Sequence, residues 1–278
     1  MVNIGQINHL KIAKTVDFGV YLDGEDLGEI LLPKRYIPEG AELGDSLEVF
    51  LYHDSDDRLI ATTETPKATV AQCAALKVVQ INRIGAFLDW GLSKDLLVPY
   101  NEQIIPMKEG NTYVVYPFID EQSGRITGSS RLDDYLPETS IYLRPRQAVE
   151  IQIWGKSDLG YKAVIDGAVL GLLYSNEIFR PLRVGQKLSA FIKTIREDKR
   201  IDLALQLSGS QANEREQLTD RILQHLQTNN GTSTLTDKSP PDDIYQQYHV
   251  SKGSYKKALG ALYSQRKITI SKDLISLV

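Results

Sequence analysis

Aromatic and cationic side chains are interspersed in one stretch of the chain, between residues 161 and 200. Bases of a single strand stack on aromatic rings while Lys and Arg follow the phosphates, so this mixture suits the binding of single-stranded RNA. Either tyrosine of the stretch could instead fill the interior of a folded module. The candidate RNA-binding residues here are Tyr161, Lys162, Tyr174, Lys193, Arg196, Lys199 and Arg200.

A second group of cations lies near the C-terminus. Lys252 and Lys256 are four positions apart and share one face of a predicted helix, with Lys257 beside them. Three lysines alone describe a solvated helix face. Their place on the third helix of the C-terminal region, which helix-turn-helix proteins use to contact nucleic acid, makes them candidate RNA-binding residues as well.

Two aromatic residues in the middle of the chain are secondary candidates. Phe87 lies in a predicted strand, where its ring could stack on a base. Trp90 precedes Gly91 in a predicted bend, and a Trp at such a bend often packs between modules. We therefore favour a structural role for Trp90.

The elements that position these residues belong to an internal repeat. Gly19, Gly85 and Gly160 mark three copies. A second glycine follows 25 positions later in each copy, an arginine follows 39 or 40 positions later, and apolar residues recur at fixed positions on both sides. The second glycines and the arginines are Gly44, Gly110, Gly185, Arg58, Arg125 and Arg200. These coincidences indicate one module used three times.

Each copy is predicted to form five short strands in about 65 residues. Apolar residues alternate before the first glycine, which is typical of a half-buried strand, and the glycine would permit a bend or bulge. A charged tight turn precedes the arginine that starts the fifth strand. Five short strands suit a small closed barrel, because closure removes exposed sheet edges.

The pattern changes from β to α after about residue 211. The predicted helices cover 214–227, the stretch after Ser239 through Tyr248, and 255–263 after a Ser251 cap, and the predicted strands cover 267–270 and 274–277. Three helices and a terminal hairpin describe a winged helix.

The predicted fold class is therefore mainly β with a C-terminal α+β domain. The predicted domains are three barrels, 1–64, 65–139 and 140–210, and a winged helix, 211–278; polar linkers are expected at 62–66, 129–140 and Ser208–Ser210.

The charge of the chain is polarised. All 278 residues together have a formal net charge of −4, which by itself argues against nucleic-acid binding. The four predicted domains have net charges of −8, −2, +4 and +2 in chain order. Because affinity depends on local cationic surface, we expect binding in the basic second half. The acidic first module is predicted to be a spacer or to contact other proteins.

Several other classes of site are excluded by composition. The single cysteine, Cys73, excludes a disulfide framework and a Cys-based zinc site, and the scattered histidines lack metal-ligand spacing. We expect no metal and no cofactor. The N-terminus lacks the features of a signal peptide, and no apolar run approaches the length of a membrane span. The expectation is a cytoplasmic protein that does not bind membranes.

Residues 85–88, Gly-Ala-Phe-Leu, resemble the second strand of the S-one-type (S1) OB-fold domain, which has Gly, any residue, an aromatic and an aliphatic. Residues 19–22 match this pattern nearly as well. Residues 160–163, Gly-Tyr-Lys-Ala, depart from it, because the aromatic residue is shifted by one position. The resemblance implies three tandem five-stranded OB-fold barrels.

The order of three such modules and a winged helix is similar to the bacterial conserved virulence factor B family. The most specific stretches are residues 84–99 and 251–263, and the resemblance spans essentially the whole chain. It implies a non-catalytic RNA-binding protein that affects gene expression, with RNA held by the third module and the winged helix.

Three alternatives stay open. A sequence-specific DNA-binding regulator would use the winged helix, although its third helix offers Lys and lacks the Arg and Asn side chains that read base edges best. A metal-dependent nuclease would need clustered carboxylates; the densest group, 54–57, lies in a predicted hairpin turn. The first two modules could also be a scaffold.

Overall fold

The computed structural model describes residues 1–175, 178, 181–206, 211–248, 250–271 and 273–278, with the backbone alone for 211–217. These residues form three five-stranded β-barrels, followed by three helices and a small sheet. The predicted fold class is confirmed. The predicted linker Ser208–Ser210 lies outside the described residues, and the exact division into four domains stays a prediction.

The three barrels repeat one strand order. The first contains β1 (Ile7–Val16), β2 (Gly19–Asp23), β3 (Glu29–Pro33), β4 (Ser46–His53) and β5 (Leu59–Thr62). The second contains β6 (Ala74–Ile81), β7 (Gly85–Asp89), β8 (Leu96–Pro99), β9 (Thr112–Ile119) and β10 (Ile126–Ser129). The third contains β11 (Ala148–Lys156), β12 (Gly160–Ile165), β13 (Val169–Tyr174), β14 (Lys187–Ile195) and β15 (Ile201–Ala204).

Strand pairing closes two of these barrels. In the first and third, the third and fifth strands pair in parallel and every other pair is antiparallel. In the second, the ladder runs β10-β9-β6-β7-β8, and β8 and β10 are its two edges. The repeat predicts a small closed barrel of five strands, and the first and third copies have this arrangement.

The glycine that marks each copy is the first residue of the second strand. A Cβ on Gly160 would lie 2.2 Å from the carbonyl oxygen of Leu173, and a Cβ on Gly85 would lie 2.3 Å from that of Val98. The neighbouring strand therefore approaches too closely for any side chain. The expected bulge lies in the first strand instead, where the β11 register shifts between Ile153 and Gly155.

The first and second barrels share a hydrophobic core. The Trp90 ring packs edge-on against Phe50, with 5.6 Å between the ring centroids. Lys94 donates hydrogen bonds of 2.8 Å to the carbonyl oxygens of His53 and Asp54. These contacts join the two barrels through apolar packing and main-chain hydrogen bonds.

The C-terminal region is a winged helix, as the sequence predicts. It contains α1 (Gln211–Thr228), β16 (Thr232–Ser233), α2 (Pro241–Tyr248), α3 (Lys252–Ser264), β17 (Ile268–Ile270) and β18 (Ile275–Leu277). Ile222, Leu226 and Leu259 are buried in its core. The predicted Ser251 cap is confirmed, since the Ser251 hydroxyl accepts a hydrogen bond of 2.9 Å from the amide of Ser254.

Candidate nucleic-acid interface

The second residue after the repeat glycine points away from the core in every barrel. Side chains alternate along a strand, and the flanking residues are buried in the barrel cores. The outward residues themselves are only half-buried. They are Tyr21, Phe87 and Lys162. The third barrel thus carries a cation where the other two carry an aromatic ring.

Tyr161 packs inward in the third barrel. Its ring lies against the apolar core, and its hydroxyl accepts a hydrogen bond of 3.3 Å from the amide of Leu182. The amino group of Lys156 lies 6.0 Å from the centre of the ring. The shift of the aromatic residue by one position therefore places this ring against the barrel core, where it is half-buried.

Tyr174 at the end of β13 points outward and is paired with a cation. An amino group of Arg196 donates a hydrogen bond of 2.7 Å to the Tyr174 hydroxyl. The guanidinium of Arg196 also contacts Asp202 at 2.6 Å, and this hydrogen bond raises the pKa of Arg196 above its usual value. A ring and a permanently charged guanidinium lie side by side, as base stacking and phosphate binding require.

Trp154, which the sequence analysis did not select, also lies on the outer face of the third barrel. It occupies the β11 bulge, so its side chain turns away from the core that Ile153 faces. The Lys162 amino group lies 4.7 Å from the centre of the Trp154 ring. The indole is 7% exposed, and its Nε1–H has no hydrogen-bond partner among the described residues.

A cleft of about 230 Å³ lies beside these residues. Trp154, Lys162, Leu172, Arg196 and Arg200 line it from the third barrel. Its other wall belongs to residues 131–140, the segment between the second and third barrels, which we call the strap. Asp133 and Glu138 of the strap line the cleft.

The strap neutralises two of the predicted RNA-binding cations. The Lys162 amino group lies 3.1 Å from an Asp133 carboxylate oxygen, and Arg200 Nε lies 2.7 Å from a Glu138 carboxylate oxygen. Arg200 Nε also lies 3.9 Å from a carboxylate oxygen of Asp198. These pairs are partly exposed to solvent, so each contributes little to stability and can be replaced by another anion.

Lys193 and Lys199 are exposed near the turn that joins β14 and β15. Lys199 has a φ of +66°, the conformation that Asp57 and Gly124 adopt at the same place in the other two barrels. The turn thus keeps its geometry in all three copies, and the residue with positive φ is a cation only in the third.

The third helix of the winged helix presents two of its three predicted lysines to solvent. Tyr255, Ala258 and Leu259 face the core, which leaves Lys256 and Lys257 exposed on the opposite side. Lys256 lies 3.9 Å from Asp237. Lys252 is half-buried, and its amino group donates a hydrogen bond of 3.2 Å to the carbonyl oxygen of Lys238.

The two secondary candidates differ in accessibility. Trp90 is only 3% exposed, and its indole N–H donates a hydrogen bond of 2.6 Å to the Lys94 carbonyl. It packs between the first two barrels, as predicted for a Trp at this bend, and neither face of its ring is accessible to a base. Phe87 occupies the outward position described above.

The first barrel also carries an aromatic and cationic group, despite its acidic composition. Phe18 is 58% exposed and packs edge-on against Tyr21, with 6.4 Å between the ring centroids. The Lys14 amino group lies 5.8 Å from the centre of the Tyr21 ring. The segment charge concealed this group, because the acids of the barrel outnumber its cations.

Within the described ranges, no group of three or more His, Cys, Asp or Glu side chains could hold a metal ion. Of the helices that the structure describes, none combines the length and apolar character needed to cross a bilayer.

The barrels, the winged helix and the outward aromatic and cationic residues define a protein assembled from nucleic-acid-binding domains. Residues 4–64 match the S1 domain family, and residues 220–277 match the CvfB-like winged helix domain family.

Several bacterial proteins are similar to this chain over nearly its whole length. Conserved virulence factor B of Staphylococcus aureus is 25% identical over 99% of this chain and 94% of its own. The uncharacterized protein YitL of Bacillus subtilis is 29% identical over 95% of this chain and 90% of its own. The resemblance to the conserved virulence factor B family is therefore confirmed.

A solved structure is similar as well. The crystal structure of a multidomain protein with nucleic acid binding domains from Streptococcus pneumoniae is 26% identical over 100% of both chains, with a TM-score of 0.44.

Proposed function

We propose that this chain is a non-catalytic, cytoplasmic RNA-binding protein that acts in post-transcriptional or general regulation of gene expression. Single-stranded RNA is held by the outer face of the third barrel together with α3 of the winged helix. The first barrel, which has the largest excess of acids, serves as a spacer or contacts other proteins.

The pairing of Tyr174 with Arg196 carries this proposal. The two groups are 2.7 Å apart on the outer face, where one can stack on a base and the other can contact the adjoining phosphate. Lys193, Lys199 and Arg200 add cationic groups near the turn of the same barrel. Single-strand binding needs rings and cations along one track, and this barrel supplies both.

The lysines of α3 support a second contact with the same strand. Lys256 and Lys257 are exposed, and the segment to which they belong has a net charge of +2. The helix lies where winged-helix proteins contact nucleic acid. The proposed role of these lysines is electrostatic, because a Lys amino group binds phosphate without reading the base sequence.

Titration of the full chain with fluorescent single-stranded RNA at several salt concentrations tests the proposal. Affinity should fall steeply with salt, since each phosphate contact releases counterions. The K256E/K257E double variant should bind about tenfold more weakly or worse and show a shallower salt dependence.

The matched control is K11E/K108E, which changes the charge equally at exposed positions of the first two barrels. The control should lose far less affinity. Equal losses in the two variants would remove α3 from the RNA site.

A DNA-binding regulator is the second candidate, favoured by the winged helix itself. Competition of duplex DNA against single-stranded RNA distinguishes the two. Preferential displacement by duplex DNA would support the regulator and oppose the proposed function.

A further inference from the structure

The strap, residues 131–140, lies across the outer face of the third barrel. Its Leu132 and Leu136 are buried in one cluster with Trp154, Val164 and Leu170 of that barrel. The amide of Leu170 donates a hydrogen bond of 2.8 Å to the carbonyl oxygen of Pro137 in the strap. The strap therefore covers part of the face on which the proposed function places RNA.

The strap is fastened to the second barrel on its other side. The Tyr135 ring stacks on Tyr116 of β9, with 5.0 Å between the centroids. The Tyr135 hydroxyl also lies 3.2 Å from a carboxylate oxygen of Glu102. A segment attached at one side can leave the third barrel while it remains anchored to the second.

The strap offers the third barrel groups that resemble those of a nucleic-acid strand. The carboxylates of Asp133 and Glu138 contact Lys162 and Arg200, as phosphates would. The apolar side chains of the strap cover the region beside Trp154 where a base could stack.

The covered state leaves one polar group unsatisfied. The Nε1–H of Trp154 is buried and has no acceptor among the described residues. Such a group is unfavourable when buried, and it would gain an acceptor if the strap moved away and water or a base replaced it. The contact between the strap and the barrel thus leaves the Trp154 N–H without an acceptor in the described part of the chain, and replacement of the strap by water or RNA would supply one.

We infer that the strap is an internal competitor for the outer face of the third barrel, and that single-stranded RNA displaces Asp133 and Glu138 from Lys162 and Arg200. This inference rests on the proposed function. The strap would then regulate RNA binding. The observed affinity of the chain for RNA would be lower than that of an uncovered third barrel, because RNA binding must also release the strap.

Neutralisation of the strap tests this competition. The D133N/E138Q variant of the full chain should bind single-stranded RNA about 3- to 30-fold more tightly than the unmodified chain, since two exposed ion pairs no longer compete. The control D158N/E197Q removes the same charge at exposed positions of the third barrel that the strap does not contact. A gain no larger than that of the control would overturn the inference.

Hydrogen exchange in the unmodified chain provides a second measurement, which does not depend on how the variants fold. Saturation with RNA should accelerate amide exchange in residues 131–140. Unchanged or slower exchange there would also overturn the inference. Failure of the unmodified chain to bind RNA would instead reject the proposed function, so the two failures are distinguishable.

Discussion

The amino group of Lys162 lies 4.7 Å from the centre of the Trp154 ring, on the outer face of the third barrel. In the other barrels, the position of Lys162 holds the aromatic residues Tyr21 and Phe87. The third barrel obtains its ring from the β11 bulge instead, and a cation covers that ring. The ring and the cation at this place therefore come from two different strands, β11 and β12.

Replacement of Tyr174 separates stacking from hydrogen bonding. Tyr174→Ala should lower the affinity for single-stranded RNA by about 5- to 150-fold, because loss of one stacked base costs about 1–3 kcal/mol. Tyr174→Phe keeps the ring and should retain most of the affinity. Fluorescence anisotropy with a labelled oligonucleotide measures both, and wild-type affinity in Tyr174→Ala would exclude this ring from the site.

Tyr161 should behave differently, because its ring packs against the barrel core. Tyr161→Phe removes only the acceptor of the hydrogen bond from Leu182, so the free energy of unfolding should fall by about 0.5–1.5 kcal/mol. Tyr161→Leu, which removes the ring but keeps an apolar side chain against the core, should leave the RNA affinity of the folded protein unchanged. Urea denaturation and the same anisotropy titration check the two statements; a stable variant with weakened RNA binding would contradict the inward placement.

The repeat glycine of the third barrel should tolerate no side chain. Gly160→Ala places a methyl group against the Leu173 carbonyl oxygen, so we expect a loss of at least about 1–3 kcal/mol in the free energy of unfolding. Gly155→Ala is the matched control, since no atom lies within 4 Å of its Cβ position. Equal unfolding midpoints for the two variants in urea would refute the close approach.

Cys73 should react slowly with thiol reagents while the chain is folded. Burial raises the pKa of its thiol to about 12, so the unreactive neutral form prevails at pH 9. The unfolded thiol ionises near pH 8.5, so this group lowers the free energy of unfolding as the pH rises above that value. Alkylation rates at pH 7–10, in buffer and in urea, should differ strongly; equal rates would contradict the burial.

The sequence predicted the repeated architecture well. The glycines Gly19, Gly85 and Gly160 each begin a second strand. The neighbouring strand approaches so closely there that only glycine fits, so the sequence marks the position. Trp154 was missed because it sits in a bulge, where the alternation of inward and outward residues breaks.

The position of the strap could not be predicted either. The sequence of a polar linker does not indicate which surface the linker covers. Two leucines in this linker, Leu132 and Leu136, indicate only that it packs against an apolar surface, and the structure shows that this surface belongs to the third barrel. Charge counted by segment has a similar limit: it ignores the ion pairs that Asp133 and Glu138 form with another module.

The RNA-binding surface can be located by crosslinking bound single-stranded RNA to the full chain and mapping the crosslinked peptides. If RNA binds as proposed, crosslinks should form in β12 to β15 of the third barrel, with Tyr174 among the modified residues, and in α3 of the winged helix. Crosslinks confined to residues 1–139 would contradict the proposed site.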